Sequence, residues 1–379
     1  MIITLVIDQY GAENNGTTIS TRRFAAALAE RGHEVRVVAV TNNNPSGKEI
    51  LYNVPERKVP LATYFAHKQG LLFAKPVKQT LKEAITGADV VHVLMPFKIE
   101  KKAMFMAKKM GVPVTGAFHV QAENVTTQLG LAKYEWTNKS IYRLFKNGFY
   151  RHLKFIHCPS NMIANELKAN GYNAQTFVIS NGCNDHFEMC AAEKPEEYKD
   201  KFVILSIGRL SLEKRHDLLI DAANKSKYRD KIQIIIAGNG PIANEIIEKG
   251  KVLPNKPVIN FFSQEELIKM INYCDLYVHP ADIEIEAISC VEAFKCGVVP
   301  VISNNPKCAT KQFALDQRCI FEHGNSNDLA EKIDYWIENG EEKKLLSEKY
   351  IEYGKEFTVE KSIEKMENMF ITAIRANKQ

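Results

Sequence analysis

Short runs of β-branched and aliphatic residues alternate along this chain with longer stretches whose apolar positions recur every three or four residues, the pattern of parallel α/β domains. Residues 2–7 are apolar apart from Thr4 and predict a buried strand. Residues 20–31 predict a helix with Phe24 and Leu28 on one face, and Gly32 leads into a strand at 34–40. Further strands are predicted at 90–94, 112–117, 155–159 and 176–179, with a helix over 98–110. Residues 181–201 break the rhythm with Asn181, Gly182, Pro195 and a charged run, a linker by composition. A second series follows, with strands at 202–207, 232–237, 258–262, 276–279 and 298–302 and helices such as 217–226 and 265–273 between them. The last stretch, 359–376, is amphipathic, with Ile363, Met366, Met369 and Phe370 on one side, and its pattern fits packing on either half. Each half therefore predicts a doubly wound parallel sheet. Such sheets bind ligands at the carboxyl ends of their strands, and two of them facing each other create a cleft.

At 379 residues, 45% hydrophobic and 25% charged, the chain is long enough for two cores and too apolar for disorder. A formal net charge of +5 implies no general polyanion binding. The apolar start has no basic region before it and runs straight into Asp8, so it reads as a first strand and not an export signal. No apolar run reaches the ~18 residues of a membrane-spanning helix. The eight cysteines form no CxxC pair and no His/Cys ligand spacing, which suits reduced thiols in the cytosol, and no metal site is expected.

Candidate chemistry gathers after the predicted strands. In the run SIGRLSLEKR, residues 206–215, Gly208 permits a sharp turn while Arg209 and Lys214 put two cations beside a helix start. That combination suits a diphosphate, and equally describes a solvated loop. Glu284 and Glu292 form an E-x7-E pair, the first on a loop and the second about one turn inside a helix beginning near Ser289. They would occupy one rim of the second domain, although Glu292 also suits a helix dipole and Glu286 competes with Glu284. In the first half, Asn14, Asn15 and Gly16 precede a helix, as in any strand-to-helix turn, and His119 follows a strand, where a structural histidine is common. Residues 138–154 predict a basic helix that mixes Ile141, Leu144, Phe145, Phe149 and Leu153 with Arg143, Lys146 and Arg151. Upstream, Lys98, Lys101, Lys102, Lys108 and Lys109 are opposed by Glu100 alone. Such a surface rests on anionic lipid or is simply the solvated side of a domain helix; no nucleic-acid module is present.

Taken in order, G-R-L-x-x-E-K (208–214), A-G-x-G-P (237–241) and E-x7-E followed by A-x-x-C-G-x-x-P (293–300) resemble the retaining family-4 glycosyltransferases over essentially the whole chain. The resemblance implies the GT-B fold, two facing Rossmann-like doubly wound parallel-sheet domains with an interdomain cleft. It implies an acceptor-binding domain over 1–185 and a nucleotide-sugar-binding domain over 200–356, with helix 357–379 crossing back to the first as in similar proteins. Arg209 and Lys214 match the donor diphosphate pair, with Gly16 letting backbone amides approach. Glu284 and His119 match the residues on the donor sugar, and Glu292 the one on the ribose. Gly208, Gly238, Gly240 and Phe262 match the nucleotide loops, and Ile285, Glu286, Ala287 and Ile288 follow the first glutamate, where many members have x-Phe-Gly. Gln121, Glu123 and Asn124 are candidates for the acceptor side, and Arg143, Lys146 and Arg151 for the membrane.

The segment 284–293, the run 304–315 and residues 15–18 are most similar to bacterial diacylglycerol glucosyltransferases. The resemblance thus implies a retaining, metal-independent hexosyltransferase without a cofactor, acting from the cytoplasm on the inner face of the cell membrane. UDP-glucose is the expected donor and a membrane lipid the expected acceptor. A transferase extending a polysaccharide or soluble glycan is the alternative, then a nucleotide-sugar epimerase, then a non-catalytic sugar-binding protein.

Overall fold

The computed structural model describes residues 1–11, 16–42, 44–58, 63, 72–128, 130–131 and 134–378. They form two compact units, Met1–Gly182 with Val359–Gln379, and Cys183–Thr358. In the first unit, strands β1 (Ile2–Gln9), β2 (Glu34–Val40), β3 (Ile50–Asn53), β4 (Val90–Val93), β5 (Val114–Ala117), β6 (Phe155–Cys158) and β7 (Gln175–Val178) make one sheet in the order β3-β2-β1-β4-β5-β6-β7. All its pairings are parallel. Parallel strands are covered on both faces, and β1 accordingly buries seven of its eight residues. One cover is the helix Gly16–Glu30, which turns Phe24, Ala25 and Leu28 inward. Another is the final helix, Val359–Lys378, whose Ile363, Met366, Met369, Phe370 and Ala373 recur at helical spacing and fill the same core.

The second unit repeats the plan with β8 (Phe202–Ile207), β9 (Ile232–Ala237), β10 (Val258–Asn260), β11 (Leu276–His279), β12 (Pro300–Ser303) and β13 (Ile320–Phe321), in the order β10-β9-β8-β11-β12-β13 and again parallel. In each sheet the winding reverses at the first strand, between β1 and β4 and between β8 and β11. The carboxyl ends of those strands are the crevice a doubly wound sheet offers to ligands.

The predicted helix over 138–154 is shorter and begins earlier, at Glu135–Gly148, followed by a 3-10 turn, Tyr150–His152. Phe149, Tyr150 and Leu153 are buried, so the chain turns into the core instead of continuing along the surface. The strand predicted at 258–262 stops at Asn260, where Ser263 opens a capping box for the helix Gln264–Tyr273. The chain passes between the units twice, and the two passes run side by side. Cys183 N–H donates to Phe357 O (2.6 Å), and a Cβ on Gly182 (φ +69°) would meet Val359 Cα at 2.9 Å.

Because Phe370 is fully buried against His92 (5.5 Å between ring centroids), Phe370→Ala is expected to destabilise the first unit. The expected loss is about 3–5 kcal/mol in urea unfolding; a loss under about 1 kcal/mol would show that the last helix is not part of this core.

Candidate functional site

β8 delivers the chain into Gly208 and Arg209, a 3-10 turn at Leu212–Lys214, and Arg215, which takes φ 54°, ψ 37° to start the helix His216–Lys225. The loop after β9 lies directly on this turn. A Cβ at Gly238 would come within 2.0 Å of the Gly208 carbonyl oxygen, and one at Gly240 within 2.2 Å of that of Leu210. Leu210 N–H donates to Asn239 O (3.1 Å) and Ile242 N–H to Leu210 O (3.2 Å). Both glycines are therefore demanded by loop-on-loop backbone contact, before any ligand is considered.

Lys214 Nζ donates to Glu284 Oε2, and both side chains keep less than a fifth of their surface exposed. Burial alone would raise the Glu284 carboxyl; the Lys214 ammonium outweighs it, with help from His279, and the group falls to about 2. Burial likewise opposes the charge on Lys214, yet Glu284 reverses the sign and raises it. Each ion keeps the other charged. Behind Glu284 sits His279, its Nε2 3.3 Å from Oε2, lowered by burial and so neutral. The Tyr277 hydroxyl bridges His279 Nδ1 and Ser289 Oγ, 2.9 Å from each.

The stretch around Glu284 is fastened to two other segments, the turn after β8 and the loop after β12. Ala309 N–H donates to Glu284 O (2.9 Å) and Asp282 N–H to Glu213 O (2.8 Å). Asp282 Oδ2 accepts from Arg215 (3.0 Å), while Asn305 Nδ2 donates to Asp282 Oδ1 (3.2 Å). Ala287 then adopts φ 65°, ψ 68° at the start of the helix Ile288–Lys295. This is the position at which the sequence resemblance implies a glycine. The left-handed turn that glycine would supply is retained by an alanine, at a cost of about 1–2 kcal/mol.

Glu292 is the fifth residue of that helix and half-buried, as are Arg209, Ile285 and Ile288. Glu286 is buried, which separates it from Glu284, the carboxylate that meets Lys214. Phe262, expected on a nucleotide loop, packs against the core of its unit, while its neighbour Phe261 is exposed. Reading motifs missed His279, Asp282, Arg215 and Asn305. His279 ends β11 and Asp282 follows it beside the switch point, a position that would have found them.

In the first unit Gly16 is the first residue of its helix, and a Cβ there would meet nothing within 4 Å. Asn14 and Asn15 lie outside the described residues. His119 is buried, its ring edge-on to His157 at 5.3 Å. Burial, then His157, lowers it to about 3, so the imidazole is neutral. His157, lowered to about 4 by burial, donates from Nε2 to Ile179 O (2.7 Å). Gln121 is buried and Asn124 half-buried at the start of the helix Ala122–Gln128; Glu123 accepts from the Tyr142 hydroxyl (3.1 Å) and belongs to the interior.

The basic helix changes most. Arg143 and Arg151 are exposed as expected, but Lys146 is half-buried and reaches Asn170 O (3.5 Å). Of the apolar set, Phe149 and Leu153 are core, whereas Leu144 (68% exposed) faces out together with Trp136 (69%), which motif reading passed over. Glu100 does not oppose the lysines of its helix, Lys98–Lys109, because it is fully buried. The outer surface there is more basic than the sequence suggests. Among the described residues no helix is long and apolar enough to cross a membrane.

Residues 14–187 match the family described as Glycosyltransferase Family 4, and residues 191–357 the one described as Glycosyl transferases group 1. The alpha-monoglucosyldiacylglycerol synthase of Streptococcus pneumoniae is 22% identical over 81% of this chain and 72% of its own length. A GDP-mannose-dependent alpha-mannosyltransferase of Corynebacterium glutamicum is 24% identical over 79% of this chain and 71% of its own. Among solved structures, Anabaena HepE in complex with UDP-glucose matches 98% of this chain and 100% of its own with a TM-score of 0.75 at 16% identity.

Two outcomes test this geometry. Glu284 is depressed from 4.5 to about 2 in the folded protein, so its contribution is full above about pH 5 and vanishes as pH falls towards 2. Glu284→Gln should therefore be less stable than the parent at pH 7, with the gap in urea midpoints closing between pH 4.5 and 2; a pH-independent gap would remove the ion pair from the account. Ala287→Gly should raise stability by about 0.5–1 kcal/mol, the relief of the left-handed turn less glycine's entropy.

Proposed function

We propose, because the chain belongs to the GT-B glycosyltransferases that join a family-4 half to a group-1 half, that it moves a hexose from a nucleoside diphosphate sugar to the hydroxyl of a membrane lipid, with retention at the anomeric carbon. The observation that carries the donor side is the Lys214–Glu284 pair at the switch point of the second sheet. It puts a fixed cation where a diphosphate would arrive, and beside it a carboxylate able to accept from sugar hydroxyls. Arg209 and Lys214 hold the diphosphate, Glu292 the ribose and Glu284 the sugar. The open space at Gly16 supports a second backbone approach to the phosphate or sugar, since neither φ nor crowding requires glycine there.

In the reaction the acceptor oxygen bonds to the anomeric carbon as the bond from that carbon to the diphosphate oxygen breaks. The acceptor's proton passes to the departing diphosphate oxygen, which lies on the same face. Lys214 and Arg209 stabilise the charge that develops on the leaving group. His119, buried and neutral, positions the sugar and does not add positive charge next to an electron-poor anomeric carbon.

A lipid acceptor is supported by the diacylglycerol glycolipid named in the Streptococcus pneumoniae relative, and by the helix that turns Trp136, Leu144 and Arg143 outward. An aromatic, an aliphatic and a cationic side chain on one exposed face match a membrane interface.

The test is incubation of the protein with radiolabelled UDP-glucose, UDP-galactose or GDP-mannose, with and without liposomes carrying diacylglycerol. Label entering the organic phase is expected from UDP-glucose, and Lys214→Ala and Glu292→Ala should each lower it by about a hundredfold or more. Label confined to water-soluble glycan, or a new nucleotide sugar formed without acceptor, would overturn the lipid reading. In a separate flotation assay, the triple change Trp136→Ser, Arg143→Ser, Leu144→Ser should abolish binding to anionic vesicles.

A further inference from the structure

The carboxyl edge of the first sheet contains a cavity of about 600 Å³ that the donor chemistry leaves unused. Its apolar wall is made by Phe73, by Phe97 at the start of the helix Lys98–Lys109, and by Phe145 and Phe149 at the end of the helix Glu135–Gly148. Arg57, Lys98 and Lys101 also line it, the two lysines being exposed. Among the described residues one acidic group reaches it: Asp8, near the end of β1 and 5% exposed.

Asp8 is held in place and yet not satisfied. Its Oδ1 accepts from Ala74 N–H (2.7 Å), while the buried Oδ2 depends on the Glu100 carboxyl beside it. The neighbouring Glu100 carboxyl, fully buried, is in the same position with both of its oxygens. A proton shared between the two carboxyls relieves both. Burial raises both carboxyls, Glu100 well above the carboxylate range, with Asp8 pushing Glu100 further. Near pH 7 the pair therefore keeps one proton, on Glu100, and one negative charge, on Asp8, which the Arg57 guanidinium favours. A carboxylate has about four acceptor positions, so Asp8 retains capacity after Ala74 and Glu100 are served.

We propose that this cavity receives one neutral lipid alcohol, its hydrocarbon against the phenylalanine rings and its hydroxyl donating to Asp8. The proposal rests on the glycosyltransferase reading in so far as it makes that alcohol the acceptor. A phospholipid is disfavoured as the occupant because its phosphate would face the ionised Asp8. A sugar is disfavoured because four aromatic rings and one acceptor leave most of its hydroxyls without partners. The lysines fit the surroundings of a lipid alcohol: they meet the anionic headgroups of the bilayer that supplies it, on the side where Leu144, also part of the lining, is exposed.

The test uses the full chain without donor, mixed with phosphatidylglycerol-containing vesicles that carry a diazirine-bearing diacylglycerol or a diazirine-bearing sterol. After irradiation, label is expected on peptides carrying Phe97, Phe145 or Phe149, with at least one of the two probes. Gly148 lines the cavity and a Cβ added there meets nothing within 4 Å, so Gly148→Leu projects into open space. It should cut that labelling by about tenfold or more, with an unchanged urea unfolding midpoint of the first unit serving as the folding control. Asp8→Asn keeps an oxygen for Ala74 but removes the charge; it should raise KM for the lipid by about tenfold, with kcat changed far less. Label spread over the outer face of the helix Glu135–Gly148, unaffected by Gly148→Leu, would overturn the proposal. The two readings fail separately. A labelled cavity in a protein that transfers no hexose sinks the transferase reading alone, and hexose transfer to lipid with the cavity unlabelled sinks this one alone.

Discussion

Two charges that could not remain charged alone, Lys214 and Glu284, neutralise each other at the carboxyl edge of the second sheet, and the surrounding loops are arranged to make them meet. Half-buried ions are costly unless paired, so the pair fixes where each loop must lie. The Gly208 turn presents Lys214, the Ala287 turn frees the chain to present Glu284, and Asp282 ties the second loop to Arg215 on the first. The glycines of the loop after β9 then serve the same end, letting two backbones touch so that the Lys214 turn is supported from below. For the diphosphate proposed as its ligand, a site assembled this way is preorganised, with the cation already in position.

The first unit solves a different electrostatic problem. It buries His92, His119 and His157 close together, and burial lowers all three, so that the region carries no positive charge of its own. On the other side of the sheet's edge it buries two carboxyls and keeps a single charge between them. Withdrawing Glu100 from the surface has a second effect, because it leaves the lysines of its helix without a counter-charge outside. The side chain that holds the shared proton inside is the one whose withdrawal leaves the surface basic.

Much of the architecture was legible in the sequence, for a reason that lies in parallel sheets: strands covered on both faces are runs of apolar residues, and β1, β4, β8 and β9 are of that kind. The strands that escaped notice are β3, an edge strand only partly buried, and β13, only two residues long. In the second unit, the residues of the Lys214–Glu284 pair were visible because local motifs carry them. Arg215, Asp282 and Asn305 were not, since their meaning comes from contacts between segments far apart in the chain. Lys146 and Glu100 were misplaced for a related reason. Sequence gives the sign of a charge but not the direction a helix turns it, and Glu100 sits one position from the exposed Lys101.

The way the chain crosses between the units has a consequence for how the protein is made. The second unit is one continuous segment, Cys183–Thr358, whereas the first lacks part of its core until Val359–Lys378 has been added. On the ribosome, the later-synthesised unit can complete its fold while the first sheet still exposes the surface that Ile363, Met366 and Phe370 will cover. The apolar face left waiting belongs to the unit that carries the outward Trp136 and the basic helices. Synthesis therefore holds that half in its stickiest state until the twenty residues Val359–Lys378 emerge, and a ribosome releasing a chain truncated before them would release a competent second unit joined to an unfinished first one.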